Sequence, residues 1–251
     1  MKMLRIGPII TMLRIGPLIT KEIQSGLNNI SSYLAAIFFL LFSSIWYLNV
    51  YNFAARDYAS FRAYFSMFPI LFILLVPMLT MKSWAEESKS GTSELLLTMP
   101  YTSWQLVLGK FAGTYMVFKV IILLTLPLIF TLQFLGNFSI GPIFTQYLGV
   151  MLLGAFAIAL GQCISSLFKN QITAGLISIT LLLLFTLIFE LLAANLSNSF
   201  LANILTYLSL NHHFSSFARG VLDSRDLFFF LICTVFFLYL NTMVVILKKW
   251  R

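Results

Sequence analysis

The sequence predicts an all-α, polytopic membrane protein with six transmembrane helices, and three observations predict it. Sixty per cent of the 251 residues are apolar, 26 residues are phenylalanine and only 10% are charged. That exceeds what a soluble core of this length uses. The apolar residues also fall into six runs, each near the roughly 20 residues that cross a hydrocarbon layer of ~30 Å. The third observation is an asymmetry of lysine and arginine between alternate connections. The connections are short and polar, with no room for a soluble catalytic domain, so the chain reads as one transmembrane domain over 1–251.

The N-terminal region, 1–32, precedes the first run. Met3–Thr11 (MLRIGPIIT) recurs as Met12–Thr20 (MLRIGPLIT), differing only at Ile9 and Leu18. A nine-residue period matches no solenoid, so the expectation is a local duplication or an over-long start with Met12 as an alternative initiator. The second copy leads into Ile19, Ile23, Leu27 and Ile30 at helical spacing, with Lys21, Glu22, Gln24 and Asn28 on the other face. Such a helix is expected to lie in the membrane interface, although Gly26 weakens it. No secretory h-region with a cleavage site precedes the first span.

The six expected spans are Tyr33–Tyr51, Phe65–Met81, Val107–Phe134, Tyr147–Phe168, Ile172–Ala194 and Leu227–Leu247. With the N-terminus inside, the inner side carries Lys2, Arg5, Arg14, Lys21, Lys82, Lys89, Lys110, Lys169, Lys248, Lys249 and Arg251. The outer side carries Arg56, Arg62, Arg219 and Arg225, and Lys119 falls within span 3. The positive-inside rule then places both termini in the cytoplasm. The net charge of +8 is a topology signal and an attraction to anionic headgroups, not a nucleic-acid footprint. Cys163 and Cys233 both fall inside spans and read as small core residues rather than a disulfide.

The loop at 82–106 breaks the apolar pattern with Lys82, Glu86, Glu87, Lys89 and Glu94. Thr92 can cap a short helix with Glu94 in its first turn, and Pro100 stops it about two turns later. Leu95, Leu96 and Met99 form a small apolar patch there. Two readings fit it: a docking element for a soluble partner, or an interfacial loop whose leucines dip into the bilayer. Thr102 caps the next helix, whose Gly109 and Gly113 form a GxxxG spacing for close packing. Ala157, Gly161 and Ser165 recur every four residues in span 4, as a packing face within one subunit or a dimer seam.

Two ionisable groups lie within spans, and each requires water, a partner or a headgroup. Lys119 can snorkel, and Glu190 can meet Arg219 or Arg225. The outer segment, 195–226, carries apolar stripes at Phe200/Leu201/Ile204/Leu205/Leu208 and at Phe214/Phe217/Val221. Both predict short re-entrant helices that could roof a pathway, making Glu190, His213, Phe214, Phe217 and Gly220 candidate pathway or outer-gate residues.

The run Trp84-Ala85-Glu86-Glu87, Gly91-Thr92, Glu94-Leu95-Leu96-Leu97-Thr98-Met99-Pro100 and Leu108-Gly109-Lys110 resembles the E…G-T-x-E-L-L-L-T-x-P…G-K signature of ABC-2 type permeases. His213-Phe214-x-x-Phe217-x-x-Gly220-Val221-x-Asp223-x-Arg225-Asp226 resembles the segment before the last span in the gliding-motility and copper-maturation branch. Lys21-Glu22 is similar to that branch's opening. The resemblance implies a permease subunit in a bacterial cytoplasmic membrane, an exporter, paired with a second permease and two copies of an ABC ATPase. It implies that the 82–106 loop carries a coupling helix, with Glu86, Glu87, Gly91, Thr92, Glu94, Leu95, Leu96, Met99 and Pro100 facing the ATPase.

No G-x-x-x-x-G-K-[ST] phosphate loop is present, since Gly109-Lys110 is followed by Phe111. The chain therefore needs no cofactor of its own, and a partner ATPase would bind ATP and Mg. A membrane-embedded enzyme is the rival class. Glu86-Glu87 resembles the paired glutamates of CAAX-type membrane proteases, but the following Arg is missing and the pair reads as loop. His212 and His213 are adjacent, point about 100° apart on a helix and cannot form an i, i+4 metal pair. Solvated or interfacial positions are expected for both, with no metal site. A third class is a scaffold that tethers an ATPase without moving a substrate.

Overall fold

The computed structural model describes residues 8–50, 61–92, 100–135, 139–196 and 199–249. The described residues are helical with short connections. Helix α1 (Pro8–Leu27) is followed by α2 (Ile30–Ile45), then α3 (Arg62–Ser66), α4 (Phe68–Thr80) and α5 (Lys82–Ser90). Next come α6 (Ser103–Leu123), α7 (Leu126–Leu135), α8 (Ile140–Leu167) and α9 (Gln171–Leu183). The chain continues with α10 (Phe189–Asn195), α11 (Ser199–Leu208), α12 (Leu210–Ala218) and α13 (Ser224–Lys249).

Six helical segments are long and apolar enough to cross a membrane: Ile30–Leu48, Phe68–Ser90, Ser103–Phe134, Ile140–Leu167, Gln171–Asn195 and Ser224–Lys249. They match the six expected spans with shifted ends. The largest shift is in span 2, where helix persists through the polar Lys82–Ser90 stretch that was expected to be loop. Trp84 and Ala85 are buried there, so a helix with one inward face satisfies this sequence better than an open loop. Gly91 stops it at φ +75°, a left-handed conformation that glycine adopts without penalty.

Span 4 (α8) is the centre of the bundle: 78% of its apolar window is buried, against 17% for span 5 and 28% for span 1. Spans 2, 3 and 6 pack around α8. Aromatic rings fill the core, with Phe39 edge-on to Phe68 and Phe72 edge-on to Phe118. Cys163 is buried, Cys233 is half-buried, and both are free thiols. Lys119 of span 3 sits over the Tyr115 ring at 5.4 Å, which gives its charge a partner inside the apolar layer.

The N-terminal helix differs from expectation in the face it presents. The buried side of α1 runs through Leu18, with Glu22 and Gly26 following it against α6. Leu27 and Ile30, expected on the apolar stripe, are exposed. The helix also ends before Ile30: Asn29 caps α2 by accepting from Ser31 N at 3.1 Å. The stripe therefore joined two helices that the structure separates. On the opposite side of the bundle, the two short helices expected in 195–226 are present as α11 and α12. Phe214 and Phe217 of α12 are buried, whereas Phe200, Leu201 and Ile204 of α11 are exposed.

Candidate functional site at the lysine-rich end

Ser165 of α8 is what carries span 2 onward as α5. Its hydroxyl accepts from Trp84 N (3.1 Å) and Ala85 N (3.2 Å) and donates to the Met81 carbonyl at 3.0 Å. One side chain thereby satisfies backbone groups on both sides of the α4–α5 junction. A turn away, a methyl at Gly161 would fall on the Thr80 side chain. Ala157 is buried in the same core. Gly161 and Ser165 thus face span 2 of the same subunit.

Gly109 and Gly113 do the equivalent for α1. A Cβ at Gly109 would fall on the Leu18 side chain and one at Gly113 on Glu22. A Cβ at Gly26 would come within 2.8 Å of Val117 Cγ2. Small residues on both helices let the backbones approach. That approach delivers the Glu22 carboxylate to Lys110.

Lys110 is 1% exposed. Its Nζ lies 2.9 Å from Glu22 Oε1 on α1, 2.9 Å from Glu87 Oε1 on α5 and 2.8 Å from the Ser83 carbonyl. An ammonium has three N–H donors, and here three acceptors meet them. The Trp84 ring adds a face 4.9 Å away. Gln162 of α8 donates to the Lys110 carbonyl (3.1 Å) and to Thr114 Oγ1 (2.9 Å). Lys21 approaches Glu87 at 3.6 Å from the solvent side, and Lys248 of α13 donates to Ser88 Oγ at 3.2 Å. Burial of a lone ammonium here would cost several kcal/mol, so full pairing is the condition for the site to exist.

Of the residues expected to face a partner, Glu86 and Glu87 lie on helix α5, correcting their assignment to a loop. Glu86 is exposed, and Glu87 turns inward to Lys110. Gly91 and Thr92 end the helix, with Thr92 Oγ1 2.9 Å from Ser90 Oγ. Pro100 is exposed where the chain resumes. Glu94, Leu95, Leu96 and Met99 lie outside the described residues, and so does the helix that Thr92 was expected to cap. Thr102 forms the expected cap on α6, a capping box with Gln105.

The other end of the bundle holds a second polar group. Glu190 follows a π-helical turn, Leu184–Ile188, and its Oε2 accepts from Asn211 Nδ2 at 2.7 Å. This corrects the expected pairing with Arg219 or Arg225, because α12 presents Asn211 to that carboxylate. His213 is buried rather than solvated, a second correction. Its Nδ1 is 2.7 Å from Asp226 Oδ1, its Nε2 is 2.8 Å from the Tyr207 carbonyl, and its ring stacks on Phe229 at 3.8 Å. His212 is exposed. Gly220 adopts φ +81° and packs on Pro142, while Phe217 packs where Gly149 lacks a side chain.

Sequence reasoning passed over Glu22, Gln162, Asn211 and Asp226 as site residues. It treated Lys110 as a topology signal. A lysine between two glycines of a close-packing motif was the available clue.

Six apolar spans with α8 at their centre, and a charged cluster toward either end among the described residues, define a multi-pass membrane protein. A family model described as ABC-2 family transporter protein matches residues 17–248. The chain belongs to that family, and its role is that of a transporter's membrane component. A comparison with curated proteins found no match.

Proposed function

We propose that the chain is the permease subunit of an ATP-binding-cassette exporter in a bacterial cytoplasmic membrane. It lines the translocation path with a second permease, identical or homologous, and is driven by two separate ATPase subunits. The reading rests chiefly on the Lys110 cluster, which joins α1, α5 and α6; in sequence, residues 93–99 connect α5 to α6. A force applied to that connection by a docked ATPase would be carried into spans 2 and 3 and into the N-terminal helix together. In this reading ATP and Mg would be bound by the partner, since the sequence carries no phosphate-loop motif. Gly91, Thr92, Glu94, Leu95, Leu96, Met99 and Pro100 would form the contact surface, while Glu86 and Glu87 lie in the wall of the cavity beside the Lys110 cluster.

Purification from the native membrane is expected to bring down an ATPase in equal stoichiometry with the permease. Isolation of a stable complex lacking any nucleotide-binding subunit, or nucleotide binding by this chain alone, would overturn the assignment. A complex whose ATPase rate ignores every transported compound would make the chain a scaffold instead. Topology has its own test. A cysteine introduced at Ser90 should react with a membrane-impermeant maleimide only after the membrane is opened, because the lysine-rich end faces the cytoplasm. Labelling of intact cells would invert the orientation and remove the docking surface from the ATPase.

A further inference from the structure

Beside the Lys110 cluster, α1, α2, α5 and α6 enclose a cavity of about 310 Å³. Most of the charges in its wall are already used. Lys110 is saturated by Glu22, Glu87 and the Ser83 carbonyl, and Lys21 meets Glu87. Two are left without an opposite charge among the described residues, Lys82 and Glu86. The Lys82 ammonium donates to Asn29 Oδ1 at 2.9 Å, a neutral acceptor that leaves two of its three N–H groups free. Ser25 and Ser32 add side-chain hydroxyls to the same wall. Lys82 and Glu86 are i, i+4 neighbours on α5, about 5–6 Å apart at Cβ.

The cavity also sits at a boundary. Apart from its last residue, Thr80, α4 is apolar, and Lys82 opens the polar helix. Leu79 and Val117 form its apolar floor. Past Asn29, the exposed face of α2 is apolar, with Ile30, Tyr33, Leu34 and Ile37 on it, so span 1 offers an apolar surface above the residues that line the cavity. A ligand that fits must carry one anion and one cation a short linker apart, and an apolar tail.

We propose that this cavity seats the headgroup of an aminophospholipid. The phosphate rests on Lys82 and the neighbouring hydroxyls, the ammonium rests on Glu86, and the acyl chains follow α2. Two opposite charges set specificity as well as affinity. Phosphatidylglycerol offers only the phosphate, so Glu86 would gain nothing from its headgroup and would oppose its charge.

Native mass spectrometry of the detergent-purified chain, titrated with dioleoyl-phosphatidylethanolamine or dioleoyl-phosphatidylglycerol, tests this. One phosphatidylethanolamine should bind about tenfold tighter than phosphatidylglycerol, as expected for one added charge-assisted contact. Lys82→Gln should weaken phosphatidylethanolamine binding by a similar factor, and Lys82→Arg should retain it. Glu86→Gln should leave phosphatidylglycerol bound as well as phosphatidylethanolamine. Both side chains lie outside the buried ion cluster, so an unchanged thermal midpoint in each variant separates lost binding from lost folding. Equal binding of the two lipids by the wild type, or wild-type selectivity in Lys82→Gln and Glu86→Gln, would overturn the proposal. Displacement of the lipid by equimolar O-phosphoethanolamine would assign the site to a soluble ligand and overturn it as a lipid seat.

Discussion

Replacing Lys110 by methionine should destabilise the folded chain by about 3–5 kcal/mol, the range for removing one partner from a buried ion cluster. The side chain is matched in length, so the loss is electrostatic. Glu22 and Glu87 would face each other with no cation between them, and the Ser83 carbonyl would lose its donor. At about 2–4 °C per kcal/mol for a chain of this length, the unfolding midpoint should fall by roughly 6–20 °C. Tryptophan fluorescence follows it directly, because Trp84 lies against the Lys110 ammonium.

A second substitution set separates charge from packing. Lys110→Met combined with Glu22→Leu and Glu87→Leu removes the three buried charges of the cluster and replaces them with apolar volume, leaving only the Ser83 carbonyl without its donor. Such replacements are often neutral or stabilising, so the triple variant should recover most of the lost midpoint. Glu22 and Glu87 are largely but not wholly buried, with side-chain exposures of 13% and 17%. That residual exposure places the expected loss toward the lower end of the range. A single variant that melts with the wild type would mean the cluster is hydrated and does not hold α1 to α5.

The contrast between what was and was not legible in the sequence follows from this cluster. The six spans were legible because length and apolar composition dominate any membrane segment, and neither depends on which helix packs on which. Their ends were less so: Lys82–Ser90 is polar enough to read as loop, and the contacts that hold it as a buried helix come from far along the chain, among them Ser165, some 80 residues away, and Lys110. Glu22 illustrates the same limit. On a helical wheel it belongs with Lys21 and Gln24 on the solvent side, and it is drawn inward by a lysine 88 residues further on. The GxxxG spacing at Gly109 announced a close approach but not its occupant, Leu18 and Glu22 of the N-terminal helix. His213 was misplaced for a related reason. A lone histidine beside a second one reads as wet, and Asp226 becomes visible as its partner only when α12 folds back on the start of α13.

The His213–Asp226 pair carries the other large expected effect. The Tyr207 carbonyl can only accept, so Nε2 must carry a proton, and one further proton is shared between Nδ1 and the Asp226 carboxylate. The pair thereby ties the last turn of α11, the middle of α12 and the first turn of α13 into one unit, with Phe229 stacked beneath the ring. His213→Leu leaves a carboxylate that is only 10% exposed without its partner, and should cost about 3–5 kcal/mol. Asp226→Leu should cost nearly as much, because the imidazole then keeps one nitrogen against an apolar neighbour. The two losses should not add. With both groups gone neither an unpaired carboxylate nor an unpaired ring nitrogen remains, only the Tyr207 carbonyl without its donor, and the double variant should be no less stable than either single one, a coupling of about 3 kcal/mol or more in a double-mutant cycle. The loosening should be local as well: hydrogen exchange should accelerate across Ser199–Ala218 while α8, packed at the centre, keeps its protection. Additive losses with uniform exchange would show that the two residues serve the core separately and that no clamp holds the outer helices to the last span.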